Sequence, residues 1–91
     1  MYGSVRHRAS PKFWQFYNAL PSEIQKLADA NYQLLKQDSS HPSLHFKKVG
    51  KFWSVRAGIH HRALAVEEGT DVVWFWIGRH DEYERLIDKR R

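Results

Sequence analysis

The hydrophobic period of the chain changes at Leu44, and that change fixes the order of its structural layers. Before it, apolar residues recur every three or four positions; after it, the period falls towards two, and β-branched and aromatic residues take over. Ser10-Pro11 has the form of a helix start. Phe13, Phe16, Tyr17 and Leu20 then share one helical face, which predicts a helix over residues 11–19. Pro21 breaks it. Ser22-Glu23-Ile24-Gln25 has capping-box spacing, and Ile24, Leu27, Ala28, Leu34 and Leu35 form a stripe interrupted by Asn31. A second helix from 22 to about 37, closing a tight αα-hairpin, is expected.

Beyond the loop chemistry of Asp38 to Ser43, strands are predicted over 44–49, 52–56, 60–67 and 71–77, joined by connections short enough for an antiparallel meander. Residues 5–8 fit an added edge strand. Asp81 and Glu84 repeat the capping-box spacing around Tyr83, Leu86 and Ile87, so a short C-terminal helix follows. The expected class is α+β: an N-terminal αα-hairpin on one face of a twisted, mainly antiparallel sheet of four to five strands, as one domain over 1–91. The other face of the sheet is expected to be free.

Ninety-one residues with four Trp, four Tyr and five Phe suffice for one aromatic-rich core. The lack of cysteine removes disulfides, thiolate nucleophiles and thiolate metal sites, and suits a reducing compartment. No apolar run approaches the roughly 20 residues that span a bilayer, and Arg6, His7 and Arg8 precede no apolar stretch, so neither a membrane span nor a signal peptide is read. A cytoplasmic protein without membrane contact is expected.

Between Asp38 and Glu67 there is no acidic residue, while Lys47, Lys48, Lys51, Arg56 and Arg62 fall in that stretch, and the basic tail Lys89-Arg90-Arg91 adds to a formal charge of +5. A positive sheet face repels itself, and an anionic partner such as a nucleic-acid backbone is the commonest reason to keep one. Alternation puts Ser54 and Arg56 on one side and Trp53 and Val55 on the other. Arg56 then shares its face with His45 and Lys47 or with Phe46 and Lys48, and periodicity leaves this open. On the third strand His60, Arg62, Leu64 and Val66 alternate with His61, Ala63 and Ala65. The more apolar set is expected to face the helices, which exposes His61 on the open face and makes Arg62 partly structural.

The run Val72-Val73-Trp74-Phe75-Trp76-Ile77 delivers Arg79, His80 and Tyr83 to its own exit, where a helix N-terminus would reinforce an anion site. The plainer alternative pairs Arg79 with Asp81 or Glu82 and makes Tyr83 a core anchor. The six histidines do not spell a metal site: His60 and His61 point to opposite faces, and no His-x-x-x-His pair falls on a predicted helix. Nor is there a Gly-rich phosphate loop or a nucleophile elbow.

The succession of two short helices, His41-Pro42-Ser43-Leu44, a basic strand, Trp53-Ser54-Val55-Arg56-Ala57-Gly58, His61-Arg62-Ala63-Leu64 and the closing strand with Gly78-Arg79-His80 and Tyr83 resembles toxins of the RelE/ParE superfamily of bacterial type II toxin–antitoxin systems. The resemblance covers nearly the whole chain and implies a compact microbial-ribonuclease-like fold. For the RelE branch it implies cleavage of mRNA on the ribosome without metal or cofactor: the ribose 2′-hydroxyl attacks the neighbouring phosphate, and translation stops. It places Arg56 and Arg79 on the pentacoordinate phosphate, with His80 and Tyr83 in proton transfer or base stacking. His45, Lys47, Lys48, Lys51, His61 and Arg62 would hold RNA. It also implies a cognate antitoxin in a hetero-oligomer. Two alternatives remain, a ParE-like inhibitor of DNA gyrase and a module that only binds nucleic acid or antitoxin.

Overall fold

The computed structural model describes residues 5–90, the side chains of 89 and 90 excepted, so the charges of the basic tail lie outside the described residues. Strand β1 (Arg6–Ala9) leads into helices α1 (Pro11–Asn18) and α2 (Ser22–Gln37). A single 3₁₀ turn (Pro42–Leu44) then precedes β2 (Lys47–Val49), β3 (Phe52–Arg56), β4 (His61–Glu68), β5 (Asp71–Arg79) and helix α3 (His80–Arg90). The sheet order is β1-β5-β4-β3-β2, with every pair antiparallel except β1 and β5. The first strand after the loop is thus shorter than expected, because residues 42–44 coil into the 3₁₀ turn and His45 takes a left-handed backbone.

Helix α1 starts as its sequence requires: Ser10 Oγ accepts from the Phe13 N–H and proline fills the first turn. The capping box expected for α2 does not form. Pro21, extended, holds the cap position, which puts Ser22 inside the helix, and Gln25 Nε2 donates instead to Tyr17 O at 3.0 Å. That bond satisfies a carbonyl near the free C-terminal end of α1 and ties the hairpin together. At α3, too, the predicted cap shifts: the helix begins at His80, and Glu82 Oε1 rather than Glu84 reaches back to the Arg79 N–H.

Both faces of the sheet are covered, which corrects the expectation of a free face. Val55, Ala57, Ala63, Ala65, Trp74 and Ile77 pack beneath α1 and α2 with Leu35 and Leu44. Phe52, Leu64 and Trp76 pack on the opposite side against Tyr83 and Ile87 of α3. Small alanines let the hairpin lie close, and the bulkier Leu64 and Val66 meet α3. His61 therefore falls on the α1–α2 side and Arg62 on the α3 side, the reverse of the sequence expectation. A β-bulge adds to the second core: Leu64 pairs with Trp76 and Ala65 with Trp74, which leaves Phe75 as the extra residue, so that Phe75 and Trp76 both join the α3 side.

Candidate nucleic-acid interface

Register places the site on the α3 face, at the end of the sheet where β3 stops and β4 starts. Arg56 pairs with Arg62, Arg62 with Gly78, and Ser54 with both Lys47 and Leu64, so Lys47, Ser54, Arg56 and Arg62 share one face. Among the described residues the ion pairs engage Arg6, Arg8, Lys48, Arg79, His80 and Arg85, and none reaches Arg56, Arg62 or Lys47. Arg56 Nε is buried with no hydrogen-bond partner. Two guanidiniums on facing strands repel one another, and a buried donor left unmade costs about 1–3 kcal/mol. An anion seated between them would remove the repulsion.

The pair is held from beneath. Asn31 Nδ2 donates to Arg56 O at 3.0 Å, which explains the polar break in the apolar stripe of α2. Arg62 Nη1 donates to His61 O at 3.0 Å, and its guanidinium carbon stands 6.0 Å from the centroid of the Tyr83 ring. Tyr83 is 4% exposed, and its hydroxyl accepts a 3.1 Å bond from Ser54, itself 1% exposed. Tyr83 is thus a core residue whose ring forms a floor for Arg62; the plainer reading of it as a core anchor describes its place better than an open proton donor does. Burial and then the neighbouring Arg56 hold the Arg62 guanidinium below arginine's usual range.

Four predicted residues lie elsewhere. Lys48, on the other face from Lys47, bonds Glu67 at 2.9 Å, and Glu67 also accepts from Trp53 Nε1 at 2.8 Å. Its charge is therefore answered within the chain. Lys51 sits in the turn before β3, its ammonium 5.8 Å from the Phe52 ring centroid. Arg79 pairs with His61 in register, on the α1–α2 side, and its Nε lies 3.3 Å from Asp81 Oδ1. His61 and Arg79 line a separate open cleft of about 920 Å³ between the α1–α2 turn and the start of α3, together with His60 and His80. Burial and then Arg79 lower the His61 imidazole, and Glu82 opposes this. A single pocket holding Arg56, Arg79 and His80 is therefore not what the sheet builds: alternation sends Arg56 and Arg79 to opposite faces. His80 stands at the divide, its backbone N–H on His60 O at 2.8 Å and its ring 5.7 Å from that of Tyr83.

Sequence reasoning missed Ser54 and Gly78. The signal for Ser54 was a small polar residue set between Phe52 and Arg56 on one face of a short strand. Gly78 is required by contact, since a Cβ there would stand 2.5 Å from the Trp76 ring. Among the described residues no three His, Asp or Glu gather as a metal group, and no helix is long and apolar enough to cross a membrane.

No protein-family model and no curated protein sequence matches this chain. Solved structures do. A chain of the RelB–RelE antitoxin–toxin complex from Methanococcus jannaschii superposes with a TM-score of 0.66 at 13% identity, covering 86% of this chain and 95% of that one. The fold is that of the RelE and YoeB toxins. The YoeB/ParE toxin from Agrobacterium tumefaciens gives 0.62 at 12% identity over 84% of this chain and 99% of its own. The isolated RelE toxin of E. coli gives 0.58 at 8% identity over 96% and 99%. The α+β class and the RelE-type architecture expected from the sequence are thereby borne out.

Proposed function

We propose that the protein is the toxin of a toxin–antitoxin pair and cleaves mRNA by attack of a ribose 2′-hydroxyl on the adjacent phosphate, without a metal. The observation that carries this is the Arg56–Arg62 pair, side by side with no ion-pair contact to a carboxylate among the described residues, Glu84 acting on Arg62 only from a longer distance. A phosphodiester passing to a pentacoordinate state gains negative charge on its equatorial oxygens, and preformed cationic donors held side by side stabilise that charge. Lys47 extends the cationic row along the strand, and His80 at the rim is the residue we assign to give a proton to the departing 5′ oxygen. Tyr83 serves as the platform that aims Arg62. Arg79, on the other side of the sheet end, steadies a flanking phosphate. Two of the similar solved structures are described as antitoxin–toxin complexes, from Methanococcus jannaschii and Mycobacterium tuberculosis, which supports an antitoxin protein as partner.

The test is in-vitro translation supplemented with the protein, followed by mapping of the message ends. Truncated message ending in a 2′,3′-cyclic phosphate, with 5′-hydroxyl downstream fragments, unchanged by EDTA on ribosome-free RNA and lost in Arg62→Gln, is the expected result. Intact message together with stalled DNA supercoiling would replace this reading with gyrase inhibition.

A further inference from the structure

The residue just before β2 has a geometry that nothing in the strand pattern requires. His45 is the one non-glycine residue with positive φ among those described, at φ 47 and ψ 43. The left-handed region is uncommon for an L residue with a large side chain, and such conformations persist where their surroundings impose them. Here both neighbours do so. Leu44 is fully buried in the α1–α2 core, and Phe46 is half-buried in it, stacked on Trp53 at 4.7 Å between ring centroids. With the side chains on either side drawn to that face, His45 is left exposed, and the charges that act on it belong to the other.

The other face is the arginine face. The β2–β3 ladder ends where Lys47 pairs with Ser54, so His45, two residues before Lys47, lies just past that end beside the stretch of β3 that carries Arg56, two residues after Ser54, and Arg56 pairs with Arg62. The neighbouring His41 is engaged locally, its Nδ1 2.9 Å from Ser43 Oγ. From the above reading of the site we infer that His45 is the general base: its imidazole takes the proton of the 2′-hydroxyl as the O2′–P bond forms and the P–O5′ bond breaks. The 5′ oxygen then takes a proton from His80 or from water at the open mouth. No oxidant, reductant or further reactant is needed.

Electrostatics favours this role for the imidazole. The charged groups that face His45 are Arg56 on β3, Arg62 on β4 and Lys47 on β2, all cationic. Arg56 first, then burial, then Arg62 and Lys47 push the imidazole below histidine's ordinary value, which favours its neutral, proton-accepting form. A lysine in the same place would need a far larger shift to be free of its proton. The left-handed backbone thus has a chemical consequence, since it takes His45 out of the edge strand at the point nearest the arginine pair.

This inference rests on the ribonuclease reading, and the experiment separates the two. Wild type, His45→Asn and His45→Gly are compared on ribosomes programmed with message and on the same message free, across pH 5 to 9, after thermal melts confirm folding. Asparagine keeps the left-handed backbone and glycine relieves it; both remove the base. Expected are a 10²- to 10³-fold loss of kcat with little change in KM, loss of the acid limb of the wild-type pH profile, and partial recovery of His45→Gly by added imidazole. Wild-type cleavage with His45→Asn within about threefold of it, or a loss with the acid limb unmoved, would overturn the role of His45 and leave the ribonuclease reading standing. No cleavage by the wild type on either substrate would overturn both.

Discussion

The Ser54–Tyr83 pair gives the sharpest test of how the site is built. Both residues are almost wholly buried and joined by one 3.1 Å hydrogen bond, and among the described residues no other side-chain partner reaches either hydroxyl. Tyr83→Phe removes the hydroxyl but keeps the ring beneath Arg62, and it leaves Ser54 unpaired at a cost of about 1–2 kcal/mol. Ser54→Ala leaves the phenol unpaired at a similar cost of about 1–3 kcal/mol. The double variant removes donor and acceptor together and should sit closer to wild type than the sum of the singles predicts, with a coupling of about 1 kcal/mol or more. For a domain of this size each kcal/mol corresponds to roughly 4–8 °C, so thermal melts by circular dichroism resolve the effect. The functional consequence separates two roles. If the ring is a platform, Tyr83→Phe retains RNA cleavage within about threefold while Tyr83→Leu, which loses the cation–π face, falls by tenfold or more. A Tyr83→Phe loss of 10²-fold with the fold intact would refute the platform and restore the phenol to proton transfer. Additive melting temperatures would refute the buried bond.

Lys47 and Lys48, adjacent in sequence and opposite in face, should differ in the salt dependence of RNA binding. Lys47→Gln is expected to reduce the slope of log affinity against log salt by about 0.7, and Lys48→Gln, whose charge already meets Glu67, to leave it nearly unchanged; equal slopes in filter binding would refute the facial assignment. Stability should fall on acidification below about pH 6.5, in part through His7, whose Nδ1 accepts the Trp74 indole N–H at 3.2 Å. Burial and then Lys36 lower the folded imidazole, so the unfolded chain binds its proton first, and stability present above the free histidine value is lost as pH falls towards the folded one. His7→Gln should make urea-derived stability less steep with pH over that window, although His45 and His61 share it; a slope parallel to wild type would remove His7 from the account.

The elements were legible because each is specified locally. Periodicity marked both helices of the hairpin nearly to the residue, and the Gly-containing turns separated β3, β4 and β5. What could not be read was any choice between faces. Leu64 and Val66 are as apolar as Ala63 and Ala65 because both sides of β4 are covered, so alternation alone cannot say which set meets the hairpin and which meets α3. The same ambiguity inverted His61 and Arg62. Tyr83, Leu86 and Ile87 announced that the last helix buries a stripe, but the sheet face receiving it is set by the direction of the turn at Arg79–His80, which no pattern records. Lys48 escaped for another reason: its partner Glu67 lies nineteen residues away and arrives through two strand pairings.

The acid-free stretch carries more information once these pairings are known. Antiparallel strands send its two ends to opposite ends of the sheet. Glu67 and Glu68 close β4 and Asp71 opens β5, and there they answer Lys48, Arg8 and Arg6. Arg56 and Arg62 stand at the other end of β3 and β4, out of reach of those carboxylates, and the intervening turn supplies none. Charge is thus sorted along the strands rather than across the sheet. One end is internally neutralised; the other keeps two guanidiniums and a lysine on one surface with a histidine turned towards them. A sheet selected for stability alone would gain by placing one carboxylate in the 57–60 turn, so the prediction that follows is reciprocal: Ile59→Glu, at an exposed position in the turn that joins the strands of the pair, should raise the melting temperature and lower RNA affinity together. If affinity held while stability rose, the unpaired arginines would have no anionic ligand to explain them.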